Sequence, residues 1–157
     1  MQYNCYQYKS SVFLEIDDMA LKTLYTTTMT ATGGRTGQVT APDGSLTLDL
    51  ASPKELGGPG GATNPEQLFA AGYAACFHSA LSLVAKHAKA DPTDSSVTGT
   101  VSLGANAQGG YGLAVTLTID LPKVERETAL ALVEKAHTVC PYSNATRGNI
   151  EVELIVK

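Results

Sequence analysis

The chain has 157 residues, of which 43% are hydrophobic and 17% are charged, and its formal net charge is -4. This length and composition are typical of one globular domain with a substantial core, and they exclude a disordered chain. The acidic balance argues against nucleic acid as a partner, because nucleic-acid-binding proteins present a basic face.

The first 18 residues, MQYNCYQYKSSVFLEIDD, differ in composition from the rest of the chain. We interpret residues 1–18 as an N-terminal extension with a short strand at 11–16, and we predict that residues 19–157 form a single domain. The extension lacks the basic start and the continuous apolar run of a secretory signal. Since we also see no run of about 18 apolar residues, we expect no membrane-spanning segment and a cytoplasmic location.

The first part of the domain reads as three strands. Residues 24–31 are rich in Thr and predict the first strand. The Gly-Gly pair at 33–34 predicts a tight turn, and Arg35 follows it directly. Residues 38–41 and 46–50 then predict a hairpin around a Pro-Asp-Gly turn.

A long helix follows a glycine-rich segment at residues 53–63, which reads either as a plain linker or as backbone that approaches another group closely. Asn64 is a good N-cap, and Pro65 suits the first helical position. The helix should end by Asp91, because Pro92 disfavours helical geometry in the residue before it. Its side chains are small or apolar nearly all round, so we expect it to be buried.

The remaining elements form two more strands, a second helix and a last strand, which gives an α+β pattern. They are strands at 97–103 and 113–121 around a turn at 108–110, a helix at 124–139, a turn at 142–149 and a strand at 150–156.

Three cysteines, Cys5, Cys76 and Cys140, stand singly in the sequence. This spacing does not suit a zinc site or a disulfide scaffold, so we predict neither a metal nor a cofactor. Cys76 lies in the middle of the long helix, where a cysteine is most often a small core residue. Cys140 lies at a helix C-terminus, where the helix dipole opposes a thiolate.

A reactive thiol pair is the functional alternative to two core cysteines. One thiolate would be activated by a positive charge, and the other thiol would close a disulfide. Arg35 is the candidate cation, and Glu66, in the first turn of the long helix, is its candidate partner. Taken singly, Arg35 also reads as a surface charge and Glu66 as a residue that complements the helix dipole.

The histidines indicate little chemistry. His78 is two residues from Cys76 and therefore points to another side of the helix. His137 is three residues before Cys140, so a Cys–His nucleophile, as in a hydrolase, stays open. Cys5 has no recognisable partner in the extension.

Three segments resemble a known family. They are NPEQLFAAGYAACF at 64–77, CPYSNATRGN at 140–149 and LYTTTMTATGGR at 24–35. They are closely similar to the Ohr/OsmC family of organic hydroperoxide resistance proteins, and to its Ohr branch more than to its OsmC branch. The resemblance covers residues 21–157 but not the extension, and three long motifs in the same order make it specific.

The resemblance implies a thiol peroxidase with Cys76 as the peroxidatic cysteine and Cys140 as the resolving one. Arg35 and Glu66 match the pair that activates the thiol and orients the substrate. It also implies an intertwined homodimer in which antiparallel sheets wrap around two central helices. The implied reductant is a lipoyl dithiol, either dihydrolipoamide or a lipoylated protein, rather than thioredoxin.

The implied substrates are organic hydroperoxides, both alkyl and fatty-acid. The apolar helix face near Cys76 agrees with this, so we predict that Phe69 and Leu68 bind the substrate. Two other functions stay open at this point. One is an OsmC-type peroxidase with a broader substrate range, and the other is a non-catalytic redox-sensing or binding module on the same fold.

Overall fold

The computed structural model describes residues 21–157. The predicted extension at 1–18, its strand at 11–16 and Cys5 therefore lie outside the described residues. The described elements are β1 (Thr30–Thr32), a 3-10 turn (Gly34–Thr36), β2 (Gln38–Thr40), β3 (Thr47–Asp49), a second 3-10 turn (Lys54–Leu56), α1 (Pro65–His87), β4 (Ser96–Ala105), β5 (Tyr111–Asp120), α2 (Arg126–Val139), α3 (Pro141–Thr146) and β6 (Glu151–Val156).

The strands form two three-stranded sheets, ordered β1-β2-β3 and β4-β5-β6. The first sheet is antiparallel, and β4 also pairs antiparallel with β5. β6 instead runs parallel to β5, because α2 and α3 carry the chain back across the sheet between these two strands. The predicted α+β class is confirmed, and the expectation of antiparallel sheets is corrected for this one pair of strands.

The core lies between the β4-β5-β6 sheet and helices α1 and α2. Val115, Leu117 and Ile119 alternate along β5, and their side chains on one face are at most 3% exposed. Gly99 on β4 lies against α1, where a Cβ atom would be 2.8 Å from the carbonyl oxygen of Ala70. Glycine at this position therefore allows the sheet to approach the helix backbone closely.

The N-terminal sheet is small and its first strand is shorter than predicted. β1 has only three residues, and residues 21–29 are exposed and outside any strand. β2 ends at Thr40, shortly before Pro42, so residues 24–29 meet no strand of the described chain that would continue the ladder. The prediction of a strand over 24–31 is therefore wrong for its first part in the single chain.

Helix α1 is buried along one face only. Its buried residues are Tyr73, Phe77, Ala80, Leu81, Val84 and Ala85. Leu83 on another face is 51% exposed, so the expectation of a helix buried all round is wrong for the single chain. By length and composition α1 is also apolar enough to cross a membrane, a test that the core helix of a soluble protein passes as well. One such helix does not by itself indicate a membrane protein, so the expectation of no membrane-spanning segment is not overturned.

The segment after Cys140 is a helix rather than the predicted turn. Helix α2 ends at Val139, as predicted, and Pro141 begins α3. Proline suits a first helical position because its missing N–H group needs no partner there. Cys140 is consequently both the C-cap of α2 and the N-cap of α3. Its thiol therefore lies beside the positive end of α3 as well as the negative end of α2.

Candidate functional site

Helix α1 holds Cys76 on a rigid support. The Asn64 side chain accepts a hydrogen bond from the backbone N–H of Gln67 at 2.9 Å, which caps the helix as predicted. Cys76 follows in the middle of the helix, half-buried and packed against the core. A side chain on a capped 23-residue helix has a well-defined position, which is what a reacting group requires.

The second thiol lies directly opposite. Cys140 is fully buried, and its Sγ donates a hydrogen bond to Cys76 Sγ at 3.6 Å. Both cysteines are free thiols. A disulfide has an S–S distance of about 2.05 Å, so the two sulfurs need to move together by only about 1.5 Å to form one.

The structure also brings Arg35 and Glu66 together. Arg35 Nη1 and Nη2 donate to Glu66 Oε2 and Oε1 at 2.7 and 2.6 Å, a bidentate ion pair. Gly33 and Gly34 have positive φ angles of 70° and 58°, which glycine adopts readily, and they begin the 3-10 turn in which Arg35 lies.

Backbone contacts bring the Arg35 turn to the start of α1. The N–H of Leu50 donates to the carbonyl of Gly37 at 2.7 Å, and the N–H of Ala51 donates to the carbonyl of Thr63 at 2.8 Å. The segment at 53–63 therefore leaves the first sheet and returns to it just before α1 begins. This loop geometry explains how a residue of the N-terminal sheet meets a residue of α1.

The electrostatic state of each group follows from its surroundings. Burial raises the pKa of the Cys76 thiol above its ordinary value; the backbone N–H of Tyr142 opposes this shift, and Cys140 adds to it. The hydrogen bonds from Arg35 lower the pKa of the Glu66 carboxyl, although burial opposes this. Cys76 is therefore a neutral thiol at neutral pH in this arrangement, and both guanidinium hydrogen bonds go to Glu66 rather than to a sulfur.

Three aromatic rings lie on the same side of α1 as Cys76. The Phe69 ring centroid is 6.1 Å from that of Tyr73 and 6.2 Å from that of Tyr142. Tyr142 lies across Gly72, where a Cβ atom would be only 3.0 Å from its hydroxyl oxygen. Sequence reasoning selected Phe69 but missed Tyr73 and Tyr142. The helical spacing of Tyr73, three residues before Cys76, was a signal for the first of these.

The other predicted groups lie apart from the thiols or have other partners. Leu68 is half-buried, but it is eight residues before Cys76 and so less closely aligned with it than Phe69, which is seven residues before. His78 Nε2 bonds Ser95 Oγ at 2.9 Å, and His137 Nδ1 bonds Ser143 Oγ at 3.0 Å. His137 Nδ1 is thus paired with a serine, and among residues 21–157 no hydrogen bond joins His137 to Cys140.

A cleft of about 440 Å³ opens beside Glu66. Its walls include Gln67 and Ala70 of α1 and Val101 of β4. Neither Phe69 nor the two cysteines line it. Among residues 21–157, no group of three His, Cys, Asp or Glu side chains is arranged to hold a metal ion.

Comparison with known proteins gives a consistent result. The family model described as OsmC-like protein matches residues 58–155. An organic hydroperoxide resistance protein of Xanthomonas axonopodis pv. citri is 52% identical over 135 residues, covering 85% of this chain and 94% of the relative. The organic hydroperoxide resistance protein OhrB of Bacillus subtilis is 49% identical over 137 residues, covering 85% of this chain and 98% of the relative.

The fold is similar to that of solved relatives. The crystal structure of an organic hydroperoxide resistance protein from Legionella pneumophila superposes with a TM-score of 0.83 at 57% sequence identity. The match covers 87% of this chain and 99% of that one.

Proposed function

Because this chain belongs to the OsmC-like family, and within it is similar to organic hydroperoxide resistance proteins, we propose that it reduces organic hydroperoxides to alcohols by thiol chemistry at Cys76. A role in organic hydroperoxide resistance follows from the relatives. The observation that supports the thiol mechanism is the 3.6 Å distance between the sulfurs of Cys76 and Cys140.

The proposed cycle begins with the Cys76 thiolate. Its sulfur attacks the terminal oxygen of the hydroperoxide, the S–O bond forms as the O–O bond breaks, and the leaving alkoxide takes a proton to become the alcohol. Cys76 is then a sulfenic acid. The Cys140 sulfur attacks Cys76, a disulfide forms, and the sulfenic hydroxyl leaves as water with the thiol proton. An external dithiol reduces the disulfide and is itself oxidised to a disulfide.

The first step requires a positive charge, since burial favours the neutral Cys76 thiol. We assign that charge to Arg35, and we assign to Glu66 the orientation of the guanidinium. The bidentate ion pair supports the pairing of Arg35 with Glu66, and the action of this pair on Cys76 is what the family resemblance implies. An arginine stays charged under all physiological conditions, so it can stabilise a thiolate or a developing alkoxide.

The surroundings of Cys76 favour an organic substrate over hydrogen peroxide. Phe69 and the ring of Tyr142 give an apolar wall on this side of α1, which suits an alkyl or fatty-acid chain, whereas Tyr73 is fully buried. We propose Phe69 and, less directly placed, Leu68 as substrate-binding residues. The reductant we propose is a lipoyl dithiol, as the family resemblance implies.

We propose that the working protein is a cytoplasmic homodimer whose single domain spans residues 19–157, with residues 1–18 as an extension. Two features of the described chain support the dimer. Helix α1 leaves apolar side chains exposed, among them Leu83, and residues 24–29 carry strand-forming side chains without a neighbouring strand. In a dimer, the partner chain would cover the exposed apolar side chains of α1, and one of its strands would pair with residues 24–29.

The decisive experiment is a steady-state assay with alkyl, fatty-acid and hydrogen peroxides, each with a dihydrolipoamide and a thioredoxin reducing system. We expect the highest kcat/KM for an organic hydroperoxide with dihydrolipoamide. The Cys76→Ser variant should show no turnover, because serine cannot form a sulfenic acid. Full turnover by Cys76→Ser would exclude the mechanism, and a disulfide that forms once without catalytic turnover would indicate a redox sensor instead.

A further inference from the structure

A buried cluster of hydroxyl groups links α1 to α3. The Tyr73 hydroxyl donates a hydrogen bond to Ser143 Oγ at 3.0 Å and lies 3.2 Å from Thr146 Oγ1. Tyr73 and Ser143 are fully buried, and Thr146 is 4% exposed. Tyr73 is 70 residues before Ser143 in sequence, so the cluster is a tertiary contact.

The hydrogen bonds of this cluster hold α3 against α1 in the core. Ser143 and Thr146 are the two buried residues of this six-residue helix. A buried hydroxyl without a hydrogen bond is costly, so such contacts specify one arrangement of the two helices. In residues 21–157 every buried side-chain nitrogen and oxygen atom has a partner, and this cluster is therefore fully bonded.

The same two helices carry the two thiols. Tyr73 is one helical turn before Cys76 on α1, and Cys140 is the N-cap of α3. The backbone N–H of Asn144 also donates to the Cys140 carbonyl at 3.0 Å, which ties the cap to its helix. A displacement of α3 along α1 consequently changes the distance between the sulfurs.

We propose that Tyr73 is a positioning residue for the resolving step. Its hydroxyl holds α3 so that Cys140 Sγ stays within reach of Cys76 Sγ. This inference rests on the proposed function, since it concerns the second half of that cycle. In this step the Cys140 sulfur bonds to Cys76 Sγ, the S–O bond of the sulfenic acid breaks, and water leaves. Tyr73 touches none of these atoms and acts through Ser143 and Thr146.

The Tyr73→Phe variant removes the hydroxyl and keeps the ring. Ser143 retains its bond to His137, and Thr146 retains its bonds to the carbonyls of Tyr142 and Ser143. The substitution therefore leaves neither hydroxyl without a partner, and the variant is expected to fold. What it loses is the direct bond between the helix of Cys76 and the helix of Cys140.

The test is a quenched-flow reaction, in which reduced protein is mixed with one equivalent of an alkyl hydroperoxide and samples are quenched at successive times. The loss of the Cys76 thiol measures the first step, and the appearance of the Cys76–Cys140 disulfide by mass spectrometry measures the second. In Tyr73→Phe we expect the first rate to stay within about twofold of the wild type, because no reacting group changes. We expect the second rate to fall by about tenfold, since small misplacements of reacting groups have large effects on rate.

A slower resolving step also exposes the sulfenic acid to a second oxidation. With excess hydroperoxide, Tyr73→Phe should therefore accumulate sulfinic acid at Cys76 where the wild type forms a disulfide. Tyr111→Phe is the matched control, because Tyr111 is 80% exposed and its hydroxyl is outside the cluster. Ser143→Ala removes the acceptor instead of the donor and should reproduce the slower second step.

The outcomes separate the two proposals. If the wild-type protein forms no Cys76–Cys140 disulfide, the proposed function fails. If the wild type forms the disulfide, and both Tyr73→Phe and Ser143→Ala form it at the wild-type rate, the positioning role of Tyr73 is wrong. A lower melting temperature with an unchanged ratio of the two rates would also overturn it, because a residue that only stabilises the fold gives that result.

Discussion

Cys140 Sγ lies 3.6 Å from Cys76 Sγ, although 64 residues separate the two cysteines. Cys76 projects from the middle of α1, and Cys140 occupies the junction of α2 and α3. The thiols are in hydrogen-bond contact while both are reduced, so in the proposed cycle a sulfenic acid on Cys76 would meet Cys140 without a large rearrangement.

Replacement of Cys140, the proposed resolving cysteine, should separate the two halves of the proposed cycle. In Cys140→Ser we expect Cys76 to react once with an organic hydroperoxide and to stop as a sulfenic acid, or as a sulfinic acid in excess peroxide. Dimedone labelling followed by mass spectrometry of the Cys76 peptide measures this. Continued turnover with dihydrolipoamide at the wild-type rate would show that Cys140 is dispensable.

In the proposed mechanism Arg35 stabilises the Cys76 thiolate, so loss of the Arg35 charge should raise the pKa of Cys76 further. The ultraviolet absorbance of the thiolate, followed against pH, measures that pKa in Arg35→Ala. Arg35→Lys is the matched control, since it keeps the charge but cannot make the bidentate contact with Glu66. If Arg35→Ala leaves the pKa of Cys76 unmoved, the activating role assigned to Arg35 is wrong.

The Arg35–Glu66 ion pair should also contribute a pH dependence to stability. The pKa of Glu66 is lowered in the folded protein, chiefly by its hydrogen bonds from Arg35. Its contribution to stability is therefore present above the unfolded-state pKa and is lost as the pH falls through the folded-state pKa. Melting temperatures of wild type and Glu66→Gln should converge in acid and diverge toward neutral pH, and a constant difference would contradict the assignment.

Helix propensity and packing oppose each other at Gly72. Alanine in place of glycine in a helix interior ordinarily stabilises a protein by about 1 kcal/mol. Here the new Cβ would lie 3.0 Å from the Tyr142 hydroxyl oxygen and 3.3 Å from its Cε2, so the ring has to move. We expect Gly72→Ala to lose most of that gain or to be destabilising, as measured by urea unfolding.

A double-mutant cycle identifies the cause. Since the hydroxyl is the nearest atom, Tyr142→Phe in the Gly72→Ala background should recover part of the stability, whereas Tyr142→Phe alone should not increase it. Additive effects of the two substitutions would show that the ring of Tyr142 is not what restricts position 72.

Local sequence signals predicted the elements that carry the site. Asn64 and Pro65 fixed the start of α1, and Pro141 fixed the end of α2, because capping and proline geometry act within a few residues. The same signals were incomplete elsewhere. Pro141 also begins α3, which the sequence signals did not predict. The strand predicted at 24–31 is observed only at Thr30–Thr32, because the described chain has no neighbouring strand for its first part.

The sequence by itself determined the class of fold, the capped helix that carries Cys76 and, through its three motifs, the family. Only the tertiary structure placed Cys140 against Cys76, Arg35 against Glu66 and Ser143 against Tyr73, across separations of 64, 31 and 70 residues. The reason is physical. Backbone preferences and caps act between neighbours in sequence, whereas the distance between remote side chains depends on how the helices and sheets pack together.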